Sequence, residues 1–130
     1  MPVKAVTAGI RGRLSWLTKH GQWIQNVSVR IIKEPFLVAA GREHPSAARH
    51  LDVWRKTVKA ATWRNLVDVR RSYPDTDSVK VRSGRQVLVF NIRRNDYRLI
   101  AAVHFNRQIV YTLRFMKRAE YSKGRWKNTL

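Results

Sequence analysis

The sequence predicts an α+β fold: helices in the first part of the chain packed on a small antiparallel β-sheet, closed by a short C-terminal helical segment. Two observations carry this. Apolar residues recur at alternating four- and three-residue spacing from Ala47 to Ala61, and after Pro74-Asp75 the period changes to two. The chain has 130 residues, enough for one domain with a modest core. Its hydrophobic fraction of 44% argues against wholesale disorder.

Residues 1–28 stand apart, with Lys4, Arg11, Arg13 and Lys19, three glycines and no acid. No continuous apolar run marks a secretory signal. A transit peptide is similarly basic and acid-poor, but the plainer expectation is a poorly ordered basic extension, 1–28, before a domain of residues 29–130. Val29 is then a candidate true start. Val29 to Ile32 reads as a short strand or the lead-in to a helix. Pro35 suits a helical first turn, with a short helix over Phe36 to Arg42 ending before His44-Pro45. Ser46 is a candidate N-cap for the next helix. There Ala47, Leu51, Trp54, Val58 and Ala61 form the apolar stripe, and Arg49, Arg55, Lys56 and Lys59 a solvated opposite face. Trp63, Leu66, Val69 and Tyr73 suggest a further helical turn. Trp54 and Trp63 are expected in the core.

Val79 and Val81 mark a short strand, Ser83-Gly84 a tight turn, and Gln86 to Ile92 the second strand of a hairpin. Arg93 to Asp96 is a polar turn in which Asn95 tolerates positive φ. Tyr97 to His104 and Gln108 to Phe115 follow as strands. Pairing 97 with 115 and 103 with 109 puts Tyr97, Leu99, Ala101, Val103, Ile109, Tyr111, Leu113 and Phe115 on one face. Arg98, His104, Gln108, Thr112 and Arg114 then form a polar working surface on the other.

Charge sets the partner class. There are 27 lysines and arginines against 8 acids, a net charge of +19, so polyanions are attracted. From Tyr97 onward Glu120 is the sole carboxylate. No run of 18 apolar residues supports a membrane span. With no cysteine and four histidines in no ligand-like spacing, no metal or other cofactor is expected, and a cytoplasmic location fits. Arg98, Arg118 and Tyr121 are carried toward one neighbourhood at the end of the sheet.

Residues from about Arg30 to Lys127 resemble the HigB family of bacterial type II toxins, within the RelE-like group. The matching residues include Arg30-Ile-Ile32, His44-Pro45, Trp54, Tyr73-Pro-Asp75, Val89-Phe-Asn-Ile92, Tyr97-Arg-Leu99, Arg107-Gln-Ile-Val-Tyr111 and Ala119-Glu-Tyr121. The resemblance implies a ribosome-dependent mRNA endonuclease held silent by a helix-turn-helix, HigA-like antitoxin. Where HigB-like chains usually carry Thr-His-Ala-Glu-Tyr-Asp-Lys, this one has Lys117-Arg-Ala-Glu-Tyr-Ser-Lys123, and a usual Gly-Asn is Arg94-Asn95. RelE is closer at these points, and matched that way Arg98, Arg118 and Tyr121 fall on its functional arginines and tyrosine.

Metal-free RNA cleavage needs the 2′-hydroxyl deprotonated, the phosphorane charge stabilised and the leaving 5′-oxygen protonated. Arg98 is the candidate charge stabiliser, because a guanidinium fork matches phosphate oxygens. Arg118 shares that task or assists the leaving oxygen. Tyr121 is a base, if neighbouring cations lower its pKa, or a stacking platform, or a core plug. Lys117 and Lys123 are alternatives for proton transfer, with Glu120 behind them, and His104 is expected to be structural. Arg93, Arg94, Lys80, Arg82 and Arg114 are candidates for RNA contact through phosphates. Two other classes share these features: a non-catalytic nucleic-acid-binding protein, and a ParE-like poison of gyrase.

Overall fold

The computed structural model describes residues 4–7, 14–17, 23–25 and 29–130. The expected extension, 1–28, falls mostly outside the described residues. Within it Lys4–Thr7 (β1), Leu14–Leu17 (β2) and Trp23–Gln25 (β3) pair as a three-stranded antiparallel sheet.

The remainder is α+β. Arg30–Ile32 (β4) leads through Glu34–Glu43 (α1), Pro45–Ala60 (α2) and Leu66–Ser72 (α3) to Asp77–Lys80 (β5), Gln86–Ile92 (β6), Tyr97–His104 (β7), Ile109–Lys117 (β8) and Arg118–Ser122 (α4), then a 3-10 turn, Arg125–Thr129. The sheet order is β4-β8-β7-β6-β5. It is mixed where an antiparallel sheet was expected, because β4 runs parallel to β8. That edge is tied by Thr112, whose hydroxyl donates to the carbonyls of Ile32 (3.3 Å) and Lys33 (3.2 Å).

Helix starts differ from expectation in one place. His44 ends α1 and caps α2, Pro45 occupies the first turn, and Ser46 lies inside the helix. Pro45 accounts for this, since it holds the preceding residue out of helical geometry. Ser46 instead bonds the Tyr97 hydroxyl at 2.7 Å. The His44 ring stands edge-on to Tyr97 and Phe115, so the α1–α2 corner is pinned to β7 and β8. At α3 Asn65 is a true cap, accepting from the Asp68 N–H. On the outer face of α2, Arg55, Lys56 and Lys59 pair with Asp52 and Glu34, as a solvated face should.

Alternation along the strands builds two cores, one per face. On the first, Phe90 is the hub for Trp54 (5.3 Å), Trp63 (6.1 Å) and Tyr73 (5.6 Å), with Leu51, Val58, Val69 and Leu99 around them. On the second, Val81, Val87, Val89, Ile100 and Trp126 cluster, with Leu113, Met116, Tyr121 and Leu130 against them. The second face was expected to be an open polar surface. The C-terminal turn covers part of it instead.

The β7–β8 register corrects the expected one. Tyr97 pairs with Lys117 and Leu99 with Phe115. After a bulge between Ile100 and Ala101, Val103 pairs with Val110 and His104 with Ile109. The additional residue moves Leu113 to the second core and Thr112 to the helix side. Gln108 is likewise no part of a working surface. At φ 54° it turns the hairpin, and its amide accepts from the Trp63 N–H (2.9 Å) and donates to the Trp63 and Phe105 carbonyls. Positive φ in the β6–β7 turn falls on Arg93 (52°) and Arg94 (60°), not on Asn95.

Candidate functional site

Arg98 projects from β7 on the second face, opposite Met116 of β8 and Asn91 of β6. Its guanidinium is fixed at three points. Nη1 donates to the carbonyls of Asn95 (3.0 Å) and Tyr97 (3.1 Å), and Nη2 donates to Asn95 Oδ1 (2.6 Å). Asn95, read from sequence only as a turn former, is the residue that orients this arginine. Above it lies Tyr121 of α4, with the Arg98 Cζ 5.5 Å from the ring centroid. Trp126 stacks on the same tyrosine at 5.2 Å, and its indole N–H donates to the Tyr121 carbonyl (3.1 Å). Arg98, Tyr121 and Trp126 thus form one contiguous assembly.

The electrostatics overturn one expectation. Burial, and next the negative charge of Asp77, push the Tyr121 phenol up; Arg98 opposes them and does not win. That direction suits stacking or hydrogen bonding and is opposite to the lowered phenol that a tyrosinate base needs. Asp77, at the start of β5 opposite Val89, carried no sequence signal for this, since only register brings it to that face.

Beside Arg98 runs a shallow groove of about 270 Å³ lined by Arg93, Asn95, Asp96, Tyr97, Lys117 and Arg118. The Arg118 N–H donates to the Asp96 carbonyl (3.0 Å), which anchors the start of α4 to the β6–β7 turn. Of the predicted catalytic residues, Arg98 and Tyr121 are in contact with each other, and Lys117 and Arg118 line the groove. Lys123 does not: its ammonium pairs with Glu120 at 3.4 Å on the outer side of α4. Arg93 is at the groove and pairs with Asp96 (3.3 Å). Lys80 and Arg82 lie toward the far end of the sheet, since Lys80 pairs with Gln86 at the start of β6, about 20 Å along the strand from Arg93. Arg114 is held by the Leu113 carbonyl (2.7 Å) and Thr129 (3.4 Å). His104, exposed at the hairpin end, makes an edge contact with Tyr111. A larger groove, about 510 Å³, is elsewhere, beside α3, where Asp68 pairs with Arg64 and Arg71. Among the described residues no group of histidines and carboxylates is arranged to hold a metal ion, and no helix is long and apolar enough to cross a membrane.

The family model for HigB toxin, the RelE-like toxic component of a toxin-antitoxin system, matches residues 47–124. The chain belongs to the HigB toxin family. The match spans well over half of it, from α2 to the end of α4, and takes in Arg98, Lys117, Arg118 and Tyr121. No curated protein matches the sequence. As a toxin of a toxin-antitoxin system, this HigB-family chain has an antitoxin for a partner. Trp126 lies beyond the matched residues, and sequence spacing gave no sign of its role.

Proposed function

We propose that this HigB-family toxin is a metal-independent endonuclease that cleaves mRNA on the ribosome and so arrests translation in the cytoplasm, and that residues 29–130 are the toxin domain. The observation that carries the proposal is the Arg98 guanidinium, held by Asn95 and Tyr97 beside a groove lined by Arg93, Lys117 and Arg118.

In the proposed reaction the 2′-oxygen attacks the adjacent phosphorus and gives up its proton. The P–O5′ bond breaks as the 5′-oxygen takes a proton, leaving a 2′,3′-cyclic phosphate. Arg98 supplies fixed positive charge where the phosphorane develops its negative charge, and a charge already in place needs no reorganisation during the reaction. Arg118, at the start of α4, neutralises the leaving side. Lys117, in the groove wall, is preferred for proton transfer over Lys123, whose ammonium is tied to Glu120. Tyr121, neutral and stacked, holds Arg98 and offers a ring face or a hydroxyl to the RNA. A helix-turn-helix antitoxin of the HigA type would silence the toxin by covering this basic surface.

Mapping mRNA 5′ ends after brief induction tests the proposal. In-frame cuts within translated codons, absent in Arg98→Ala, are expected. Intact transcripts with arrested growth would point to another target, and intact transcripts with normal growth to a binding protein.

A further inference from the structure

A second groove, about 420 Å³, lies between α2 and the β6–β7 turn, and Arg93 lines both it and the groove beside Arg98. Its rim is basic: Arg49 and His50 from α2 face Arg93 and Arg94 from the turn. Among the described residues Arg49, His50 and Arg94 have no ion-pair partner, whereas Arg55, Lys56 and Lys59 of the same helix pair with Asp52 and Glu34. No carboxylate lines this groove. Its wall is apolar and aromatic, with Tyr73 and with Val53, which is 54% exposed although large and apolar. Behind them the buried Trp54 indole N–H, in the same wall, has no hydrogen-bond partner.

Backbone conformation adds an independent sign. Arg93 and Arg94 are consecutive non-glycine residues in the left-handed region, at φ 52° and 60°. Such strain persists where surrounding structure or function requires it. Here it sets two guanidinium groups at the edge of one groove.

We propose that this groove holds a single-stranded RNA segment continuous with the one beside Arg98, a nucleobase lying against Val53 and Tyr73 and the phosphates meeting Arg49, His50 and Arg94. The inference rests on the proposed endonuclease function and extends it, making the β6–β7 turn a saddle over which the strand passes. Cationic rim and aromatic wall are the two parts from which sequence-tolerant single-strand sites are built. An acidic protein segment would use the rim but leave the base-sized apolar wall without purpose.

The test uses the full-length toxin and a short 2′-O-methylated RNA, which cannot be cut by 2′-hydroxyl attack. Binding is followed by fluorescence anisotropy across a salt series. Removing one cation that neutralises a phosphate should reduce the slope of log K against log salt by about 0.7. Arg94→Gly is expected to produce that reduction while raising Tm, because glycine accepts positive φ freely. Opposite signs in binding and stability rule out damage to the fold. Adding Arg49→Gln should remove about 0.7 more, and Lys56→Gln, on the neutralised face, should change neither. Equal effects from Lys56→Gln and Arg94→Gly would overturn the groove in favour of diffuse charge. An oligoglutamate peptide that loses affinity for Arg94→Gly in parallel with RNA would overturn it in favour of an acidic protein. If transcripts are cut in cells but both groove variants bind RNA as the wild type does, the groove alone fails. If the wild type neither cuts mRNA nor binds the oligonucleotide, the endonuclease function fails and takes the groove with it.

Discussion

Trp126→Ala tests whether the second face of the sheet carries a real core and whether that core supports the site. Trp126 is 6% exposed and packs among Val81, Val87, Val89 and Ile100. A tryptophan buries roughly 200 Å², which at about 25 cal/mol/Å² is about 5 kcal/mol. Allowing for residual burial in the unfolded chain lowers this to about 3–4 kcal/mol, within the usual range for removing a core aromatic. Domains of this kind are stable by about 5–15 kcal/mol, so the variant should fold with much of its margin lost. Urea titration is the assay: with a slope of about 2 kcal/mol/M, the midpoint should fall by about 1.5–2 M. Trp126→Phe keeps a ring against Tyr121 and loses the indole N–H bond to the Tyr121 carbonyl, so it should recover most of the stability. A loss below about 1 kcal/mol for the alanine variant, the range of ordinary surface changes, would refute the second core. It would also remove the argument that the C-terminal turn supports Tyr121 and, through it, Arg98.

Further outcomes are expected at Asn95, Tyr121 and Asp68. Asn95→Ala removes the charge-assisted bond at 2.6 Å but leaves the two carbonyl bonds to Arg98; cleavage in a purified translation system should fall about tenfold, with the urea midpoint unchanged. Because burial raises the Tyr121 pKa, wild type and Tyr121→Phe should give rate profiles of the same shape up to about pH 9. An inflection in that range lost only in the phenylalanine variant would restore the tyrosinate base. The same shift has a stability consequence: the folded state holds the phenolic proton more tightly than the unfolded chain, so stability is full below about pH 10 and declines as pH rises through the folded pKa, less so in Tyr121→Phe. At the acid end, hydrogen bonds from the Arg64 side chain and N–H hold Asp68 below the usual carboxylate range. Its contribution is present above about pH 4 and lost as pH falls through the folded pKa. Thermal melts of Asp68→Asn should show a lower Tm at neutral pH and a flatter acid limb; an unchanged acid limb would exclude Asp68 as its source.

How much of this was legible in the chain follows from where the determining interactions lie. The α2 stripe, the extents of β6 and β7, and the burial of Trp54 and Trp63 are properties of local pattern, and local pattern displays them. Arg98 and Tyr121 were readable because a strand register and a following helix carry them to the same end of the sheet. The bulge between Ile100 and Ala101 was not readable, since Tyr111, Leu113 and Phe115 alternate smoothly and nothing in them marks an additional residue. From that bulge follow the misassigned faces of Thr112 and Leu113. The parallel pairing of β4 depends on interactions some 80 residues apart in sequence, such as Thr112 to Ile32. Trp126 had no periodic context at all, and its place is fixed only by the core it closes.

The distribution of acids explains how a chain of net charge +19 folds while keeping part of its surface strongly basic. Glu34 and Asp52 neutralise the outer face of α2, Asp68 the start of α3, and Glu120 the end of α4. Each is within a helix, close to the cations it pairs; the exposed pairs of Glu34, Asp52 and Glu120 contribute little stability, whereas Asp68 is buried. Their effect is subtractive: they remove basic charge from the backs of the helices and leave it at the β6–β7 turn and along Lys117 and Arg118. Asp96 stands in that region, paired to Arg93 at 3.3 Å, and its carbonyl is occupied by the Arg118 N–H. A partner that silences such a toxin need not cover the whole cationic surface. On the proposed RNA path, occupying the turn at Arg93, where the two grooves meet, would keep a strand from reaching Arg98 from the α2 side.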